Sequence, residues 1–171
     1  MHRGRRSIRL PDHDYASQGA YFVTVCTRDR ECSLGRTANG TVSLNRCEEI
    51  VDDVWMWLMR QYPYVFCDAY VIMPNHLHAI LVISRETGCR GGSRTAPTEG
   101  TIKPLGRLIG AFKTVSTKRI NEMNNTPGRT FWQRNYYEHV IRGGDDHERI
   151  KKYIQGNPMN WPQDDENPGR I

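Results

Sequence analysis

The segment Asn75-His76-Leu77-His78 sits inside an apolar run, with Tyr70-Val71-Ile72-Met73 before it and Ala79-Ile80-Leu81-Val82-Ile83 after it. Pro74 and Asn75 interrupt the run. Residues two apart on a strand point to the same face, so a strand starting at His76 would set both imidazoles side by side on an apolar sheet. Two neutral imidazoles so placed form half of a metal site. The same spacing also fits two partly buried histidines hydrogen-bonded to backbone, and the pair alone does not choose between these readings.

A second set of reactive side chains lies near the C-terminal end. Arg149, Tyr153 and Asn157 are spaced by four and share one face of a helix. Taken alone, Tyr153 reads as a core-edge residue and Asn157 as a helix cap. Taken with the histidines, the set has a sharper meaning. Phosphodiester transfer needs a nucleophile, an electrophilic clamp on the phosphate, and positioning. Two imidazoles and one oxygen ligand leave open positions on a divalent ion, and a tyrosine can form a covalent intermediate. The handicap is a phenol pKa of about 10, which a nearby cation and Arg149 would offset. Oxygen ligands favour Mg²⁺, and the two histidines admit Mn²⁺.

These residues need elements to hold them. Residues 21–27 are β-branched and aromatic and read as a first strand. Asn45 or Ser43 can cap a helix over about 46–61, whose apolar positions Ile50, Val54, Trp55 and Leu58 keep helical spacing. Strands over 65–73 and 76–83 follow, then a helix over 104–123 with Leu105, Leu108, Ile109, Phe112 and Val115 on its core face. A fourth strand is predicted over 131–142. A last helix begins at an Asp145 cap with Glu148 as its partner and stops at Asn157-Pro158. The order is β-α-β-β-α-β-α. Its first six elements match the α+β, ferredoxin-like split βαβ arrangement: one antiparallel sheet with two helices on one face, plus an added C-terminal helix that carries Tyr153. The strand over 76–83 is apolar on both sides, which calls for a dimer or for cover from the last helix.

Composition narrows the class. The 171 residues read as a single domain. The net charge is +5 and the pI about 9.1, which fits a polyanionic partner. Arg3, Arg5, Arg6 and Arg9 crowd an acid-free N-terminal arm within residues 1–18, either lying along phosphates or simply solvated. Lys113, Lys118 and Arg119 offer the same two readings on the second long helix. Residues 84–101 have no periodicity and read as a mobile loop. Five cysteines without C-x-x-C spacing read as reduced thiols in a cytoplasmic protein. The arm is too polar for a signal peptide, and no segment approaches a membrane span.

Met73-Pro74-Asn75-His76-Leu77-His78 resembles the His-hydrophobic-His motif of the single-tyrosine HUH transposases. The segment from Trp132 to Arg142, followed by Tyr153-Ile154-x-x-Asn157-Pro158, resembles the REP-associated tyrosine transposase branch. The resemblance spans about 19–161. It implies a ferredoxin-like fold, a divalent metal (Mg²⁺ or Mn²⁺), and cleavage and joining of single-stranded DNA through a covalent 5′-phosphotyrosine. Carried over, His76 and His78 are metal ligands, Tyr153 is the nucleophile, and Asn157 stands where the third, polar ligand is placed. The implied partner is hairpin DNA of extragenic palindromic repeats, bound by a monomer or homodimer at the bacterial nucleoid. The alternative is a catalytically silent, domesticated hairpin-binding protein. Tyr136 and Tyr137 compete as nucleophiles, but strand alternation puts only one on the site face, and both read better as base-stacking or core residues. His139 reads as structural.

Overall fold

The side chain of Asn45 accepts the backbone amide of Cys47 at 2.9 Å, and α1 (Arg46–Gln61) starts there in the computed structural model. The cap satisfies one of the amides that a first helical turn leaves unpaired. The structure describes residues 14–38, 41–84 and 102–170. Arg3, Arg5, Arg6 and most of the 84–101 loop lie outside them.

Four strands form the main sheet: β1 (Gly19–Cys26), β4 (Val65–Met73), β5 (His76–Ile83) and β6 (Tyr137–Ile141), in the order β4-β5-β1-β6 with every neighbour antiparallel. With α1 and α2 (Leu105–Asn124) as the connections, this is the ferredoxin-like split βαβ topology. The register sets Thr24 opposite His78 and Cys26 opposite His76. A separate hairpin, β2 (Gly35–Ala38) and β3 (Thr41–Leu44), precedes α1. These two strands carry no mark in the sequence, because four-residue segments are too short to show periodicity.

Alternation along the strands builds two cores. On one face Tyr21, Val23 and Val25 of β1 and Leu77, Ala79, Leu81 and Ile83 of β5 pack under α1 and α2. Trp55 of α1 meets Phe112 of α2 edge-on, with ring centroids 5.1 Å apart. Each such fully buried large side chain contributes about 1.5–3 kcal/mol of transfer free energy. The other face carries Phe22 and Ile80, covered by Ile150 and Ile154 of α3 (Gly144–Asn160). The final helix thus supplies the cover that the doubly apolar β5 requires. It is also fastened at its outer side, where Asp68 in the irregular stretch of β4 meets Lys151 at 3.1 Å and His147 at 3.3 Å. These pairs are partly exposed, so they orient α3 more than they stabilise it.

Three local expectations differ. β6 begins at Tyr137, and the segment before it pairs with the chain after β1 at an isolated Thr27–Trp132 bridge. The N-cap of α3 is Gly143, in a positive-φ conformation that favours glycine, while Asp145 lies in the first turn, where its charge suits the helix dipole. The helix also runs through Pro158 to Asn160 instead of stopping at Asn157. Proline there gives up one backbone hydrogen bond. The buried side chains of Asn157 and Trp161 on either side hold the chain in its helical course.

Candidate metal centre and tyrosine

Pro74-Asn75 is the two-residue connection between β4 and β5, and Asn75 is wholly buried in it. Its Nδ2 donates to the carbonyl of Arg30 at 3.1 Å and to that of Glu166 at 2.7 Å. Its backbone carbonyl accepts the amide of Thr27 at 2.8 Å and the Thr27 hydroxyl at 3.0 Å. With Nδ2 committed to two carbonyls, Oδ1 is left as the acceptor, and it faces His76 Nδ1 at 2.8 Å. His76 Nδ1 therefore carries the proton, and Nε2 keeps its lone pair. That Nε2 is buried and has no hydrogen-bond partner among the described residues.

His78 lies one pleat along on the same face, its ring centroid 4.3 Å from that of His76. Thr24 Oγ1 holds its Nδ1 at 2.8 Å, and its Nε2 lies 3.2 Å from the Tyr153 hydroxyl. Burial pushes the His76 imidazole down to about 3, with the Arg30 charge adding to the effect. Burial lowers His78 too, helped by its neighbour His76. Both rings are thus neutral at pH 7, the protonation state in which imidazole is a ligand.

The third member of this cluster is Asp164. One ring nitrogen from each histidine and a carboxylate oxygen of Asp164 lie within 4.8 Å of one another. Asp164 follows the short turn Trp161–Gln163, and its Oδ1 accepts the amide of Glu166 at 2.7 Å. Its Oδ2 accepts Asn157 Nδ2 at 2.7 Å and the Tyr153 hydroxyl at 3.4 Å. Asn157 Oδ1 is buried and has no partner among the described residues.

The fit to a divalent cation rests on these atoms. A buried imidazole nitrogen and a buried amide oxygen without partners, beside a buried carboxylate, form a set of acceptors that a small cation would satisfy. Tyr153 stands at the edge of this set. Burial, then the negative charge of Asp164, pushes its phenol up to about 12, so without a cation it is firmly protonated.

The other expected residues are placed as follows. Arg149 lines the same groove as Tyr153, with its guanidinium 2.6 Å from Asp146. Tyr137 and His139 also face the groove, and His139 Nε2 lies 2.8 Å from Asp146. Tyr136 points to the opposite face and packs against the main core. Lys113 is largely inside, donating to the carbonyls of Gln133 and Asn135 at 2.9 Å each. Lys118 is exposed beside Glu122, and Arg119 is exposed. Neither belongs to the groove.

The sequence does not single out Asp164 or Thr24, and it marks Asn75 only as a break in the apolar run and a member of the His-x-His motif. Asp164 is the first of three acids, Asp164-Asp165-Glu166, and nothing in their spacing separates it from a solvated run. The signal for Asn75 was present, because a buried turn needs an amide that can donate and accept at once.

No protein-family model matches the chain. An uncharacterised protein of Haemophilus influenzae is 37% identical over 166 residues, covering 94% of this chain and 91% of that protein. A solved structure described as a REP-associated tyrosine transposase bound to a REP hairpin superposes with a TM-score of 0.62 at 19% identity, covering 90% of this chain and 73% of that one. Among the described residues no helix is long and apolar enough to cross a membrane. The chain therefore belongs to one family with the Haemophilus influenzae protein, and it has the fold of the REP-associated tyrosine transposase.

Proposed function

We propose that this protein is a metal-dependent enzyme of the HUH type that nicks and rejoins single-stranded DNA at hairpin-forming repeats, with Tyr153 as the nucleophile. The observation that carries this reading is the Tyr153 hydroxyl 3.2 Å from His78 Nε2 and 3.4 Å from Asp164 Oδ2. It sets a phenol against a buried group of neutral and anionic ligands.

His76, His78 and Asp164 would hold Mg²⁺ or Mn²⁺, with Asn157 Oδ1 as a further oxygen donor. When bound, the cation supplies a Lewis acid for a phosphate oxygen and favours the phenolate. The residues of the chain do the rest. Thr24 and Asn75 orient the two rings through their Nδ1 atoms. Asp164 Oδ2, 3.4 Å from the Tyr153 hydroxyl, would accept its proton, because His78 Nε2 would be committed to the cation. The Tyr153 oxygen attacks phosphorus, the bond from phosphorus to O3′ breaks, and O3′ leaves as a hydroxyl after taking up a proton. The 5′-phosphate stays on Tyr153 until a 3′-hydroxyl reverses the step. The likeness to a structure bound to a REP hairpin supports hairpin DNA as the substrate.

The test is incubation with a hairpin oligonucleotide carrying a single-stranded flank, in Mn²⁺ or Mg²⁺, followed by a denaturing gel. Wild-type protein gives a denaturant-resistant adduct that maps to Tyr153, and Tyr153→Phe gives none. An adduct that persists in Tyr153→Phe removes this nucleophile.

A further inference from the structure

Two large aromatic rings stay half exposed in one groove. Tyr137 of β6 is 46% exposed and Tyr153 of α3 is 45% exposed. Phe22 lies between and beneath them, each ring meeting it edge-on at a centroid distance of 6.1 Å. Phe22 in turn stacks on His78 at 5.3 Å. The groove has a volume of about 610 Å³, within the range of sites that enclose small organic ligands.

Charged side chains around this groove are engaged in ion pairs. Arg149 pairs with Asp146, and the acids that also line the groove are paired in turn, Glu166 with Arg30 at 3.0 Å and Asp165 with Arg170. The carboxylates of Asp165 and Glu166 can also accept from the exocyclic amino groups of a planar ligand. Tyr137 pairs across the sheet with Thr24, whose hydroxyl holds His78. A planar ligand resting on Tyr137 would therefore sit next to the candidate metal centre without entering it.

We propose that Tyr137 is the stacking platform for one unpaired nucleobase beside the Tyr153 centre, with Phe22 as the rigid support beneath it. The inference rests on the single-stranded DNA reading above and names where the strand is held. Tyr137 acts here as a positioning residue. Stacking a base on an exposed aromatic ring tolerates any sequence, because every base has a π face.

Binding of a short fluorescent single-stranded oligonucleotide, measured by anisotropy in EDTA, tests this without any chemistry. Tyr137→Ala is expected to weaken binding about tenfold, the size of one base–aromatic stack. Tyr137→Trp should retain or tighten binding. A panel of oligonucleotides, each with one abasic site, locates the base: at one position the abasic substitution weakens wild-type protein but costs Tyr137→Ala nothing further. Equal binding by wild type and Tyr137→Ala overturns the platform and leaves the DNA reading standing. So does a loss that Trp fails to restore, or one that is the same at every abasic position. A Tyr137→Ala change confined to self-association, seen by sedimentation, assigns the ring to a second copy and also overturns it. Wild-type protein that binds a flanked hairpin but none of these oligonucleotides overturns the platform alone, and protein that binds neither overturns both readings.

Discussion

Asn157 Nδ2 donates to Asp164 Oδ2 at 2.7 Å, with both side chains buried. The bond ties α3 to the chain that follows it and aims the carboxylate at His76 and His78. Asn157 thus has two parts to play through opposite ends of one amide: a donor that orients Asp164, and an Oδ1 with no partner among the described residues.

Removing that carboxylate should weaken the centre more than shortening its support. Asp164→Asn is expected to lower Mn²⁺ affinity the most. Asn157→Ala, which removes an orienting partner and a possible oxygen ligand, is expected to cost about 10–100-fold. Isothermal titration with Mn²⁺ measures both. An Asp164→Asn affinity equal to wild type would place the ion elsewhere.

Asn75 should behave as a stability residue that also serves the site. Asn75→Ala leaves the carbonyls of Arg30 and Glu166 without their donor and His76 Nδ1 without its acceptor. Each orphaned buried group costs about 1–3 kcal/mol. Urea unfolding should show a clearly lower midpoint with an unchanged m-value, and a midpoint within error of wild type would contradict this network.

The metal-free protein should lose stability on mild acidification. The folded pKa of His76 is depressed to about 3, below its unfolded value of about 6.5. The unfolded chain therefore binds more protons between these limits, and the stability contributed is complete above pH 6.5 and lost as pH falls toward 3. His78 shifts the same way. Urea midpoints measured in EDTA at pH 7 and pH 5 should fall, and His76→Gln should flatten the change. A wild-type midpoint that does not move would mean the histidines take up protons in the fold as readily as in the unfolded chain.

Lys113 and its neighbours on α2 separate by experiment. Lys113→Met removes two hydrogen bonds to the segment that leads into β6, and should destabilise by about 1–3 kcal/mol. Lys118→Ala and Arg119→Ala are exposed changes and should leave stability nearly unaltered. If either side chain contacts phosphate, its removal lowers the salt slope of DNA binding by about one. An unchanged slope assigns it to the solvated face.

The sequence by itself determined the frame and the two halves of the candidate site. Hydrophobic periodicity placed α1, β4 and β5 at their observed bounds, because long runs of consistent burial leave a pattern that local geometry must follow. The two-residue period put His76 and His78 on one face, and the four-residue period put Tyr153 and Asn157 on one face of a helix. What only the tertiary structure decided is how the halves meet. The passage of α3 through Pro158 contradicts local preference, since buried contacts at Asn157 and Trp161 outweigh one lost backbone bond. Asp164 reaches the histidines only because the chain turns back after Trp161, and a reversal governed by packing leaves no periodic mark in the sequence. Tyr137 shares a groove with Tyr153 for a similar reason: β6 pairs with β1, a contact between residues far apart in the chain.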